Sequence, residues 1–219
     1  MLTAIERFPA LDAHSDRIVH GFVRRIPDLD VHVEREAALA RLADIHREAR
    51  AELGLAETSF VTAKQVHGAE VAAIPRGAAI PANPIDGVDA IVTTQRGVCL
   101  GIFVADCAAV YLFDPKIPII GLVHSGKKGT ALGVVRQAIR QMQRLGADPE
   151  NMVAQIGPSI RPPNYEIDFT AEIVRQCRQA GLNQVHDCGV DTFADPGRYY
   201  SYRREKGRTG RMLALLALR

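Results

Sequence analysis

The chain has 219 residues, 47% of them apolar and 24% charged, with a formal net charge of +2 at pH 7. That length suits a single domain over residues 1–219 with a well-buried core, and so small a charge points to no nucleic-acid partner. No apolar run reaches the roughly 18–20 residues of a membrane span. The four cysteines, Cys99, Cys107, Cys177 and Cys188, form no Cys-x-x-Cys pair, so reduced thiols in a cytoplasmic setting are expected.

The N-terminal stretch MLTAIERFPALDAHSDRIVH holds acids and no continuous apolar segment, which reads as no signal peptide. Residues 33–55 place Ala38, Leu39, Leu42, Ile45, Ala49 and Leu53 at helical spacing, with Gly54 as a stop. Strands are expected at 59–66 and 70–74, then a proline- and glycine-rich loop at 75–87. Further strands follow at 90–94, 98–104, 109–113 and 117–123. The period then changes. Ala131, Leu132, Val134, Val135, Ala138, Ile139, Met142 and Leu145 predict one amphipathic helix, with Thr130 as a possible N-cap and Gly146 as its end. A strand at 152–156 breaks at Gly157-Pro158, and a helix is expected at 170–180. The segment YYSYRREKGRTGRMLALLAL reads as two strands around a glycine turn. Strands outnumber helices and several follow one another directly. The predicted class is α+β, as a layered α/β/α arrangement with a mixed sheet. Neither a Gly-x-Gly-x-x-Gly strand-helix turn nor a Walker loop occurs.

Three residues stand alike. His67 in KQVHG, Cys107 in ADC and His124 in VHSG each close an apolar strand candidate beside a small or breaking residue. Two imidazoles and one thiolate suit Zn²⁺ with a fourth position open for water or substrate. Asp106 could support a ligand or act as a base. The same residues also read as two turn histidines and a core thiol in a non-catalytic small-molecule binding module, or as a Cys107 nucleophile with a histidine base in a metal-free hydrolase or amidase acting on a cell-wall precursor. Copper redox chemistry is disfavoured: there are seven histidines and no His-x-His pair, and none of Met1, Met142, Met152 or Met212 is placed by sequence as an axial ligand. The turn HSGKKGT, with Ser125, Lys127, Lys128 and Gly129, offers N–H groups and two ammonium groups to an anion, phosphate being the natural guest. Gln65 beside His67, and Ser159, Arg161, Tyr165 and Glu166 in IGPSIRPPNYEI, are further candidates to line a pocket. Residues 198–219 hold seven basic residues and one acid, a pattern that suits a sheet strand better than a nucleic-acid surface.

In order, KQVHG, DGVDAIVTTQRGVCLGIFVADCAAVYLFD, IGLVHSG, IGPSIRPPNYEI and YYSYRREKGRTGR resemble the family long called laccase-domain or multicopper polyphenol oxidoreductases. Its members are regarded as purine nucleoside phosphorylases with adenosine deaminase activity, and some are named peptidoglycan editing factor. The resemblance implies zinc on His67, Cys107 and His124, a nucleoside and phosphate as substrates, and a fold similar to the cytotoxic necrotizing factor catalytic domain. The chain departs from it where the family reads HAGWRG: here HSGKKG puts Lys127 and Lys128 in place of an aromatic and an arginine, and the chain contains no tryptophan. Lost stacking and a point charge instead of a planar fork bear on substrate choice. Asp191-Thr192 stands where many relatives have Cys-Thr and reads as structural.

Overall fold

The computed structural model describes residues 5–219; Met1 to Ala4, which begin the N-terminal segment read above, lie outside them. The strands form two six-stranded sheets. The first runs in the order β1 (Ile5–Glu6), β2 (Ile18–Val23), β12 (Met212–Leu218), β7 (Val98–Val104), β3 (Ser59–Lys64) and β5 (Ile85–Asp86). The second runs β11 (Gln184–Asp187), β10 (Val153–Ile156), β8 (Ala108–Asp114), β9 (Ile119–Ser125), β6 (Ala90–Thr93) and β4 (Val71–Ile74). Both are mixed: β3 is parallel to β7 and β5, β10 to β11 and β4 to β6, while the other pairs are antiparallel.

The strand sequences explain the layering. The run MLALLAL of β12 has no polar position, so both faces must be covered. Met212, Ala214, Leu216 and Leu218 join a core with Tyr111, Phe113, Ile120 and Leu122 of the second sheet. Leu213, Leu215 and Ala217 point the other way, against Ala49 of α2 (Arg35–Glu52), the helix that follows the short α1 (Pro9–Asp12). Likewise Ala109, Tyr111 and Phe113 of β8 face the seam between sheets, while Ala108, Val110 and Leu112 meet α4 (Val134–Arg144) and α5 (Phe169–Gln179). The order of layers is therefore helix, sheet, sheet, helix. The α+β class holds, with the strands divided between two stacked sheets. At Gly101 on β7 a Cβ would run into the Phe60 ring, so the missing side chain is a packing requirement.

Two element predictions are corrected. The helix expected at 131–145 is two helices: α3 (Lys127–Leu132) follows the N-cap Gly126, and Gly133, at φ 79°, separates it from α4. Left-handed backbone is cheap for glycine and ends a helix. Thr130 lies buried inside α3, its Oγ1 on the Ser125 hydroxyl, and caps nothing. The predicted C-terminal hairpin is one strand, β12, whose partners are the sequence-remote β2 and β7. Ahead of it Tyr199 and Tyr200 are core residues, their hydroxyls tied to Glu6 Oε2 and the Ile26 N–H. Their rings fill the interior instead of alternating on a pleat, so residues 201–211 cross the sheet end as a loop. The strands β1, β2, β5 and β11 carried no sequence assignment and arise from pairing.

Candidate metal centre

One end of the two sheets gathers the loops that matter. The register pairs Val104 with Met212, Val123 with Ala90, and Ser125 with Ala108. The exits of β3, β7 and β9 therefore meet the entries of β6, β8 and β12 at one edge. Asp89, fully buried just before β6, organises this edge. Its Oδ2 accepts the N–H groups of Val66 (3.2 Å) and Gly68 (2.6 Å), and its Oδ1 accepts that of His67 (3.0 Å). Oδ1 also bonds His124 Nδ1 at 2.7 Å, and the Asp89 carbonyl accepts the His124 N–H at 2.7 Å. Burial alone would raise the Asp89 carboxyl, but the bonds from His124, Gly68 and Val66 hold it below the usual carboxylate range. His67 has φ 59°, a left-handed conformation that costs a non-glycine residue about 1–3 kcal/mol. The three N–H bonds to one carboxylate sustain it.

Cys107 arrives from the entry of β8, opposite His124 at the end of β9. A Cβ on Gly126 would land on its sulfur, so this glycine makes the space the thiol occupies. Burial pushes the Cys107 thiol up, yet the His124 charge and the hydrogen bonds from His124 and His67 reverse this and bring it to about 6. His124 moves oppositely: burial lowers it, while Cys107 and Asp89 raise it to about 9. The buried thiols of Cys99 and Cys177 are pushed up to about 12. Cys107 is thus singled out as a thiolate.

The donor atoms of His67, Cys107 and His124 all lie within 4.8 Å of one another. Tetrahedral zinc, with bonds of about 2.0–2.3 Å, needs neighbouring donors roughly 3.3–3.7 Å apart, so the group fits with small side-chain adjustment. Because Asp89 occupies Nδ1 of His124, its Nε2 is the atom left for a metal, the carboxylate–histidine arrangement that fixes ring and tautomer. Among the described residues this is the one cluster of three or more such donors.

The three donors lie on the wall of a cavity of about 1280 Å³. Asp106 lines it too, its oxygens accepting from Thr192 Oγ1 (2.7 Å) and the Arg203 N–H (2.9 Å). Lys127, Lys128, Tyr165 and Gln65 are also in the wall. Lys127 Nζ lies 3.4 Å from Glu166, which also binds Arg203, and the Arg203 guanidinium sits 4.9 Å above the Tyr165 ring. Gln65 clamps β7 through both the N–H and carbonyl of Phe103. Five predicted residues lie outside the cavity wall: Ser159, which is fully buried, Glu166, which ties Lys127 to Arg203, and Ser125, Gly129 and Arg161. Ser125 is buried against Thr130, and Gly129 packs on the Gly68 carbonyl; both support the site from behind. Arg161 is engaged by the Asp187 carboxylate and by Thr170, away from the cavity wall. Sequence reading missed Asp89, Thr192 and the wall residues Arg35, Phe103, Tyr202, Lys206, Arg208 and Arg211. Only Asp89 left a usable signal: an acid in DGVDA directly before an apolar strand, with no solvent-facing reason to be there.

The family model described as multi-copper polyphenol oxidoreductase laccase matches residues 26–172 and 167–219. The chain belongs to this family. A relative named purine nucleoside phosphorylase, from Deinococcus radiodurans, is 34% identical over 194 residues, covering 77% of this chain and 74% of its own length. Another of the same name, from Streptomyces coelicolor, is 32% identical over 188 residues, covering 73% and 75%. The fold is shared with the hypothetical protein YfiH of Bacillus licheniformis, at TM-score 0.85 and 19% identity over 100% of this chain and 97% of that one. YlmD from Geobacillus stearothermophilus gives TM-score 0.79 at 24% identity, over 97% and 94%. Among the described residues there is one donor cluster, and no methionine lines the cavity. Met142 and Met152 are core, and Met212 Sδ accepts the Tyr200 N–H.

Proposed function

We propose that the chain is a zinc-dependent purine nucleoside phosphorylase that also deaminates adenosine, acting in the cytoplasm on nucleoside and inorganic phosphate. One observation carries this reading: a His₂Cys donor group opens onto a cavity that mixes aromatic faces with unpaired cations. Phe103, Tyr165, Phe169 and Tyr202 suit a flat base, and the basic side chains beside them suit phosphate. The names of the relatives point the same way. Among the described residues no helix is long and apolar enough to cross a membrane.

Bound zinc would supply Lewis acidity and a nucleophile from water near neutral pH. The chain's own residues do the rest. Asp89 holds both histidines in place. Asp106, with one donor on each oxygen, keeps lone pairs to orient a nucleoside hydroxyl or to accept a proton beside Cys107. Tyr165, backed by Arg203, is a stacking surface of the kind the absent tryptophan would provide. The test is incubation of zinc-loaded protein with inosine or adenosine and phosphate, followed by chromatography. Free base with ribose phosphate, and inosine from adenosine, are expected; no product under any condition overturns the reading.

A second reading has its own observation. Cys107, His124 and Asp89 form a thiolate–imidazole–carboxylate chain, which is also the layout of a cysteine hydrolase or amidase. Metal analysis separates the two, since a coordinated thiolate is not a free nucleophile. One tightly held zinc per chain argues against the hydrolase.

A further inference from the structure

Arg211 is a buried cation without a counter-ion. The residue is 8% exposed, yet it lines the cavity. Among the described residues no carboxylate lies within 4.0 Å of it. Its hydrogen bonds run from Nη1 to the carbonyls of Thr209 (2.7 Å) and Gly210 (2.9 Å), in its own loop. Taking an unpaired charge out of water costs several kcal/mol unless something compensates it. The charge that acts on it most is another cation, Arg35 at the start of α2, with Tyr202, Cys107 and Asp106 acting more weakly in the opposite sense. Arg35 has only the adjacent, exposed Glu36 at 3.9 Å. Of the two carboxylates in the wall, Asp106 accepts from the Thr192 hydroxyl and the Arg203 backbone N–H, and neither it nor Glu34 comes within 4.0 Å of Arg211 or Arg35.

The position is built rather than accidental. Arg211 precedes β12, whose first pair is Met212 with Val104, so it lies across from the turn that delivers Asp106 and Cys107. Gly210 lets the chain pass the Tyr200 ring, where a Cβ would come within 2.6 Å of it, and so steers the next side chain inward. By contrast, the turn expected from sequence to hold the anion is a poorer receptor. Lys127 is shared with Glu166, and α3 has only 6 residues.

We propose that Arg211, with Arg35 as second cation, anchors the phosphate in this cavity, in place of the Lys127–Lys128 turn. A planar guanidinium offers paired N–H groups to two phosphate oxygens, and a phosphate dianion neutralises both arginines at once. The inference rests on the phosphorolysis reading, and its test is made separable by measuring binding as well as turnover. The binding probe is inorganic phosphate alone, read as the rise in melting temperature of zinc-loaded wild type, R211Q, R211K, R35Q and K128Q. Wild type should be stabilised by phosphate, R211Q and R35Q should bind it roughly thirtyfold more weakly, R211K should fall between, and K128Q should stay within about threefold. With turnover, R211Q should raise the KM for phosphate by a similar factor and leave that for nucleoside nearly unchanged. Phosphate stabilisation without any nucleoside cleavage would keep the anchor and remove the phosphorylase reading. No stabilisation of wild type, or loss in K128Q with retention in R211Q, overturns the anchor. R211K separates lost charge from lost geometry, because it keeps the positive charge and removes only the planar guanidinium.

Discussion

Replacing Asp89 with Asn tests the logic of the centre most directly. The carboxylate receives four donors: Val66, His67 and Gly68 N–H at 3.2, 3.0 and 2.6 Å, and His124 Nδ1 at 2.7 Å. Asn keeps one acceptor oxygen. If its nitrogen takes the place of Oδ2, two N–H groups face another donor; if it takes the place of Oδ1, His67 and His124 lose their partner. Two charge-assisted bonds are lost either way, each about 1.5–3 kcal/mol, which predicts a destabilisation of about 3–6 kcal/mol in metal-free protein. Where the fold survives, zinc affinity should fall about 10–100-fold, because the left-handed His67 backbone and the His124 tautomer are no longer held. Urea unfolding measures the first quantity and competition with a chelator the second. Should D89N unfold within about 1 kcal/mol of wild type and bind zinc within about twofold, Asp89 does not organise the centre.

Three further outcomes are expected. In metal-free protein the Cys107 thiolate, brought down to about 6, should persist well below neutral pH and protonate as pH falls through about 6, while the His124 imidazolium, raised to about 9, should discharge as pH rises through about 9. Thiolate ultraviolet absorbance across pH, with C107S as control, should show a step near 6 that the other cysteines cannot produce; a first step only near 9 refutes the pairing. Gly126→Ala puts a Cβ on the Cys107 sulfur, so zinc affinity should drop about tenfold or more with secondary structure intact by circular dichroism. Gly101→Ala drives a methyl into the Phe60 ring and should cost about 1–3 kcal/mol by urea unfolding without changing zinc affinity, a control for damage remote from the metal.

Much of the centre was readable because it sits where local pattern is strongest. His67, Cys107 and His124 each follow an apolar run and precede a breaker, and β7, β8 and β9 lie within a residue or two of their expected bounds. Strand ends are the one place where apolar patterning and exposed chemistry coincide, so such residues stand out. Asp89 and Thr192 did not stand out, since their value lies in whom they touch: Asp89 joins the His67 loop to the end of β9, more than fifty residues apart, and Thr192 meets Asp106 across 86 positions. Arg161 shows the converse, a basic residue in a suggestive loop whose charge is taken up by Asp187.

The sequence by itself determined the class, α+β, and the order of most elements, and it singled out His67, Cys107 and His124 as candidate donors, because these follow from periodicity of 2 or 3.6 residues and from residue chemistry. Tertiary structure decided what the sequence left open: that the strands stack as two sheets, that residues 201–211 form a loop contributing to the cavity wall and not a hairpin, and which cations line the cavity and which are neutralised. Pairing of β12 with β2 and β7 joins both ends of the chain to its middle, and burial of a charge depends on every layer around it. Neither is a property of any local stretch, which is why Arg211 looked like one basic residue among seven until the sheets closed over it.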